Sequence, residues 1–298
     1  MIRPATSSLR PSEKLTALVL ASLLGLALLA RPEGWGLRVA VFGALLLATL
    51  ALSGVPRTHR MALARDVAPV IMVLGVYLLL QPLVAAVNPI RWDAALAAVD
   101  ARWFRSVASS WRGAFGRPAA LTDLVYVAYA SFYLLPVAVA LLVRSRVGPG
   151  PFERVTFTIL LGFYLSFLGY FLWPAEGPRI PRALEAAELG GGAISRAVRV
   201  FLHRVEATTL DAFPSGHTAL SLAPAILASR FLNRLGLFFW AWALAIVFST
   251  VYISVHYVAD VAAGILLAGA TLAAAPPLWR RMDAARDWKT EQRTQPWT

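Results

Sequence analysis

Long apolar runs separated by short polar or basic stretches dominate the chain. A helix needs about 20 predominantly apolar residues to cross a bilayer, with a range of about 17–25. By this measure we predict an all-α fold, a polytopic membrane helix bundle of about eight spans, of which the first and the sixth are short. The predicted spans are Leu15–Ala30, Leu37–Val55, Val67–Val87, Ala120–Val143, Val155–Trp173, His217–Phe231, Gly236–Val255 and Tyr257–Trp279.

The first apolar run also has the features of a signal-peptide core, because Arg3, Arg10 and Lys14 precede it. The sequence LLARPEG at its end is a poor small-residue cleavage site. We therefore expect the first span to be retained, with a cleaved signal peptide as the alternative.

The stretch RWDAALAAVDARWFRSVASSW, between the third and fourth spans, is amphipathic. Its apolar residues recur at helical spacing, and the acidic and basic residues point elsewhere. The apolar face consists of Trp92, Leu96, Val99, Trp103 and Val107. Tryptophan on the apolar side is typical of a helix that lies in the membrane interface. We predict one interfacial helix, and a loop helix packed on the domain is the alternative.

The composition also favours a membrane protein. Hydrophobic residues make up 58% of the 298 residues, charged residues 15%, and the mean hydropathy is +0.64. Soluble domains average about 45–50% apolar and about 25% charged residues. The net charge is +12, but the arginines are scattered between apolar runs and form no basic patch. We therefore expect membrane lipids as partners and no nucleic acid.

An even number of spans places both termini on one side of the membrane. The short loops on that side carry more Lys and Arg than those opposite, which favours cytoplasmic termini. We expect an integral protein of a bacterial-type inner membrane whose polar motifs face the periplasm or the exterior. The chain has no cysteine, which excludes disulfides and thiol chemistry.

One polar motif interrupts the last part of the apolar pattern. His256 and Asp260 are four residues apart, so on a helix they share a face. A carboxylate that accepts from one imidazole nitrogen fixes the tautomer and leaves the other nitrogen free to react. Ionisable groups within spans are costly and by default mark function. The alternative is a buried pair that only ties helices together.

The second motif is PSGH, at the start of the sixth span. Ser215 can cap the helix, and Gly216 lets a ligand approach the backbone. Free amides at a helix N-terminus can bind phosphate, and His217 would lie beside them. Arg179 and Arg182, after the fifth span, add fixed positive charge on the same side. The alternative is an ordinary capped helix whose histidine faces headgroup water.

Together these residues suggest phosphoryl transfer through a histidine. Only His256 and Asp260 have a ligand-like spacing, so we expect neither a metal nor a cofactor. A metal-dependent hydrolase is the alternative.

At these residues the chain resembles the type 2 phosphatidic acid phosphatase superfamily. PSGH is similar to its second signature, and SVHYVAD, Ser254–Asp260, is similar to its third. The resemblance implies a six-helix catalytic membrane core at residues 67–279 with its site at the outer interface. Residues 1–66 would form two added transmembrane helices, and residues 280–298 a charged cytoplasmic tail.

The resemblance also implies a role for each residue. His256 would be the nucleophile that forms a phosphohistidine, and Asp260 would orient it. His217 would protonate the leaving alkoxide. Ser215 and the amide of Gly216 would hold phosphate oxygens.

Two departures from the family signatures are visible. The third signature usually opens with Ser-Arg, where this chain has Ser249 and Thr250. The usual lysine of the first signature is replaced by Leu172. Arg179 is then the expected phosphate clamp, with Arg182 as the alternative. This variant is similar to the branch that contains inositol phosphorylceramide synthases.

Three functions are compatible with this reading. The first is a lipid-phosphate phosphatase, in which water ends the second step; PSGH favours it. The second is a lipid phosphotransferase, in which an alcohol such as inositol replaces water; Thr250 and the missing lysine favour it. The third is a non-enzymatic lipid-binding membrane protein, which would be expected to lack one of His217, His256 or Asp260.

Overall fold

A computed structural model describes residues 9–52, 59–104, 107–180, 184–205 and 209–283. Every regular element in these ranges is helical, which confirms the all-α fold class. The helices are α1 (Pro11–Ala30), α2 (Trp35–Ala51), α3 (His59–Val87), α4 (Asp93–Trp103), α5 (Val107–Phe115), α6 (Ala119–Ala130), α7 (Leu135–Arg146), α8 (Pro149–Leu172), α9 (Glu185–Leu189), α10 (Ala193–Val205), α11 (Gly216–Phe231), α12 (Leu235–Tyr252) and α13 (Val258–Met282). A 3-10 turn, Ser131–Tyr133, joins α6 to α7.

Within the described residues, five helices are long and apolar enough to cross a membrane: α1, α3 from Arg65 onwards, α8, α12 and α13. Helices α6 and α7, which meet at an angle of 54°, make a sixth if they form one bent span. These helices indicate a membrane protein. Helices α2 and α11 have 17 and 16 residues and are shorter than the usual span. The number of about eight spans therefore stays a prediction.

Helix α11 lies inside the bundle, where it packs against α7, α8, α12 and α13. Most of its side chains are buried, as expected for a helix that is apolar on all sides. Small residues bring its neighbours close. A Cβ atom at Gly162 of α8 would lie 2.9 Å from Leu220, and one at Gly264 of α13 would lie 2.6 Å from the backbone oxygen of Ser215. Small residues at such positions let membrane helices pack closely together.

Charged residues near the start of α3 join the N-terminal helices to the rest of the bundle. Arg65 forms a buried ion pair with Glu13 of α1. Asp66 pairs with Arg10 and with Arg144 of α7, each at 2.6 Å. Buried charges need partners of this kind, because an unpaired one is costly.

The division into residues 1–66, 67–279 and 280–298 stays a prediction.

The predicted interfacial helix consists of two helices, because α4 ends at Trp103 and α5 begins at Val107. Leu96 is buried, whereas Trp103 is 71% exposed. Asp100 fixes α4 to the start of α13, since its Oδ1 accepts a hydrogen bond from the backbone N–H of Ala259 at 3.0 Å. The position of these helices in the membrane interface stays a prediction.

Candidate active site

His256 lies in the non-helical turn between α12 and α13. The carbonyl oxygen of Thr250 accepts hydrogen bonds from the backbone N–H groups of Val255 and His256, at 3.0 and 3.3 Å. Ser254 has a φ of 59°, in the left-handed region that non-glycine residues seldom adopt. The chain thus reverses sharply before His256, whose side chain is buried with 4% exposure.

Asp260, in the first turn of α13, contacts the imidazole of His256. Its Oδ2 atom accepts a hydrogen bond from the backbone N–H of Tyr257 at 2.8 Å and lies 3.3 Å from Nδ1 of His256. His256 precedes the helix, so the contact arises because Asp260 caps the helix start and not because both residues share a helix face. An imidazole held at Nδ1 presents Nε2 for chemistry.

His217 lies in the first turn of α11 and is held between aromatic rings. Its ring stacks on Tyr129 at 4.8 Å between centroids and meets Phe132 at 4.4 Å. Its Nε2 atom is buried and has no hydrogen-bond partner among the described residues. The other ring nitrogen, Nδ1, lies 3.1 Å from Nε2 of His256. The structure therefore brings the two predicted histidines together.

The start of α11 is prepared for an anion. The amides of Gly216 and His217 belong to the first turn, where backbone N–H groups lack intrahelical acceptors. A Cβ atom at position 216 would lie 2.6 Å from the hydroxyl oxygen of Tyr170, so a larger residue there would have to displace that buried side chain. Ser215 is fully buried, and its Oγ accepts from the backbone N–H of Thr218 at 3.2 Å. Ser215 thus acts as the helix cap.

Arg179 is held beside the histidines by two hydrogen bonds. Its Nη2 donates to Oδ1 of Asp211 at 3.0 Å, and its Nε donates to the carbonyl oxygen of Glu176 at 2.8 Å. Asp211, which holds Arg179, lines the same cavity as His217. Arg182, the alternative clamp, lies outside the described residues.

Asp211 and Tyr77 have no role in the sequence-based prediction, although the structure places both at the site. The Oδ2 atom of Asp211 accepts a hydrogen bond from the Tyr77 hydroxyl at 2.8 Å, while its Oδ1 accepts from Arg179. Tyr77 lies on α3, 134 residues before Asp211. No local pattern could signal a contact across that separation, but the carboxylate next to PSGH was visible in the sequence.

Arg112 is a third residue without a predicted role. Its Nη1 donates to the carbonyl oxygen of Tyr252 at 2.8 Å and to Oγ of Ser254 at 2.7 Å. Burial lowers the pKa of the Arg112 guanidinium from its ordinary value, but an arginine remains charged in proteins. Thr250, which replaces the usual arginine of the third signature, is buried and bonds within its own helix. Arg112 therefore brings a cation to the turn that carries His256.

The described arrangement suits nucleophilic catalysis. One imidazole is oriented by a carboxylate, a second imidazole lies within hydrogen-bond reach, and an arginine is nearby. Among the residues that the structure describes, no group of three or more His, Cys, Asp or Glu is placed to hold a metal ion.

Comparison with protein families gives one match. A family model described as the PAP2 superfamily matches residues 94–274, which is more than half of the chain. No curated protein and no solved structure shows a significant match. The matched range contains Arg179, Asp211, His217, His256 and Asp260, and it excludes α1, α2 and α3.

Proposed function

Because the chain belongs to the PAP2 superfamily, whose members are generally phosphatases or phosphotransferases, we propose that it hydrolyses a lipid phosphate. The reaction would take place at the outer interface of a bacterial-type inner membrane, through a phosphohistidine. The observation that carries this proposal is the 3.1 Å contact between His217 Nδ1 and His256 Nε2, with Asp260 at the other nitrogen of His256.

In the first step, Nε2 of His256 attacks phosphorus and the bond from phosphorus to the lipid oxygen breaks. His217 donates a proton to that oxygen, so the lipid leaves as a neutral alcohol. In the structure the two imidazoles contact each other, so the phosphate must enter between them. Asp260 stabilises the positive charge that His256 acquires.

In the second step, a water molecule attacks the phosphohistidine. His217, now neutral, accepts a proton from the water while the nitrogen–phosphorus bond breaks. Inorganic phosphate leaves, and both histidines return to their initial states. Each histidine thus acts twice in one cycle, as in other nucleophilic mechanisms with a paired acid and base.

The phosphate oxygens would be held by Arg179 and by the amide of Gly216. Arg179 has a planar guanidinium that matches two phosphate oxygens. Arg182 is proposed as a further contact. Ser215 supports the site by capping α11, and this buried capping position favours an indirect role for its hydroxyl.

Transfer to an alcohol is the second candidate function. It is favoured by Thr250 and Leu172, which stand where the hydrolytic signatures usually carry a basic residue. Both functions share the first step and differ only in the molecule that attacks the phosphohistidine. A non-enzymatic lipid-binding role is the third candidate.

The decisive experiment incubates the purified protein with a panel of lipid phosphates, with and without inositol. Release of inorganic phosphate supports hydrolysis, and a new phosphodiester supports transfer. Activity should persist in EDTA, and vanadate, a mimic of pentacoordinate phosphorus, should inhibit it. His256→Ala is the control, since it should abolish both products. If neither product forms, the non-enzymatic role is supported.

A further inference from the structure

An apolar cavity of about 270 Å³ extends from the site between α3, α7 and α8. At one end it is lined by His217 and Asp211, and at the other end by Asp66 and Thr156. The wall between the two ends is aliphatic and aromatic and includes Val70, Leu74, Ile159 and Phe163. A hydrocarbon chain is the ligand that such a wall accepts, because burial of apolar surface is the main favourable term.

The dimensions of this cavity match a lipid tail. Along α3 its lining runs from Asp66 to Tyr77, which is about 16 Å at the helical rise per residue. Along α8 it runs from Phe152 to Tyr170, about 27 Å by the same measure. The hydrocarbon core of a bilayer is about 30 Å thick. The cavity is therefore at least half as long as the hydrocarbon core is thick.

The far end of the cavity is charged. Asp66 lies there with its carboxylate engaged by Arg10 and Arg144. A methyl terminus gains nothing from contact with such a group, and separating the ion pairs would be costly. A tail that enters from the site is thus stopped at Asp66.

We propose that this cavity holds one hydrocarbon chain of the lipid-phosphate substrate and that Asp66 with its two arginines limits the chain length. This inference rests on the proposed function. The phosphate at His217 and the tail in the cavity would belong to one molecule, because His217 lines both. Helix α3, which carries Asp66 and forms one wall, lies outside the residues that match the family, so the length limit depends in part on this chain's N-terminal helices.

Thr156→Phe tests the proposal by filling the far end of the cavity. The hydroxyl of Thr156 is buried with no hydrogen-bond partner among the described residues, so its loss removes no contact there. Leu168→Phe is the matched control, because Leu168 lies on the same helix, does not line the cavity and is 52% exposed. Both variants are assayed with lipid monophosphates of increasing tail length and with p-nitrophenyl phosphate, which has no tail.

For the wild type, kcat/KM should rise with tail length up to a limit. In Thr156→Phe this limit should move to shorter tails, with a loss of about tenfold on long ones, the equivalent of roughly two methylene groups leaving the cavity. Turnover of p-nitrophenyl phosphate should stay within about twofold of wild type, since the phosphate site is untouched. Leu168→Phe should behave like the wild type.

The inference is overturned if kcat/KM of Thr156→Phe depends on tail length as in the wild type while turnover of p-nitrophenyl phosphate is normal. If the wild type itself releases phosphate from no substrate, the proposed function fails instead. Should Thr156→Phe not elute as folded protein on size exclusion, Val70→Phe on the α3 wall takes its place with the same expected results.

Discussion

The backbone N–H of Ser215 donates a hydrogen bond to the backbone carbonyl oxygen of Asp260 across 3.1 Å. This bond joins the start of α11 to the start of α13, two points that are far apart in the sequence. The side chain of Asp260 remains available for His256. The distance between the two imidazoles is therefore set by a contact between backbones.

Gly264→Ala should disturb this contact. A Cβ atom at position 264 would lie 2.6 Å from the carbonyl oxygen of Ser215, and a backbone atom cannot move aside cheaply. We expect a loss of stability of about 1–3 kcal/mol and a matching fall in turnover. Thermal unfolding and phosphate release measure the two effects. Gly269→Ala, in the same helix with nothing within 4 Å, is the control, and equal behaviour of the two variants would contradict the prediction.

His217→Ala should slow the hydrolysis of alkyl phosphates much more than that of p-nitrophenyl phosphate. An alkoxide needs a proton to leave, whereas p-nitrophenolate leaves without one. We expect a loss of about 10²–10⁴-fold on a lipid phosphate, the usual contribution of a general acid, and a much smaller loss in the first step with p-nitrophenyl phosphate. The single-turnover burst of p-nitrophenolate reports that step alone. A similar loss on both substrates would argue against His217 as the acid.

Tyr77→Phe should weaken phosphate binding with little effect on kcat. The variant removes the hydroxyl that donates to Asp211, which in turn holds Arg179. A lost hydrogen bond of about 0.5–1.5 kcal/mol corresponds to a rise in KM of about two- to tenfold. Tyr164→Phe, which removes a hydroxyl bonded to Thr16, is the matched control. A fall in kcat at constant KM would place Tyr77 outside this chain of contacts.

Arg112→Ala should lower kcat by loosening the turn that carries His256. One guanidinium nitrogen donates hydrogen bonds to Tyr252 and to Ser254. Arg112→Lys should recover part of the activity, because an ammonium can make one of these hydrogen bonds. We expect a loss of about tenfold for the alanine variant. Arg117→Ala removes an exposed arginine bonded to a nearby carbonyl and is the comparison. Equal effects of both alanine variants would refute a specific role for Arg112.

Much of the fold could be predicted because a membrane helix requires a long run of apolar residues, and such runs are visible in the sequence. Each predicted apolar segment overlaps a helix, from α1 to α13. The bend between α6 and α7 was not predicted, because the mostly apolar run Ala120–Val143 is long enough for one span, although Ser131 and Pro136 interrupt it. The break between Trp103 and Val107 was not predicted either, because helical spacing continues through it.

The predicted site residues divide in the same way. His217, His256 and Asp260 could be proposed from the sequence because polar residues at the edge of apolar runs are conspicuous, and the structure brings their side chains together. Tyr77 could not be found, because its contact with Asp211 depends on how α3 packs in three dimensions. The cap at Ser215 was predicted from the sequence, whereas its full burial follows from how α11 packs inside the bundle.

The bend between α6 and α7 gives Phe132 two neighbours at once. Its ring meets the imidazole of His217, and the same side chain forms part of the cavity wall. A substitution at Phe132 would therefore change the surroundings of the His217 imidazole and the shape of the cavity together.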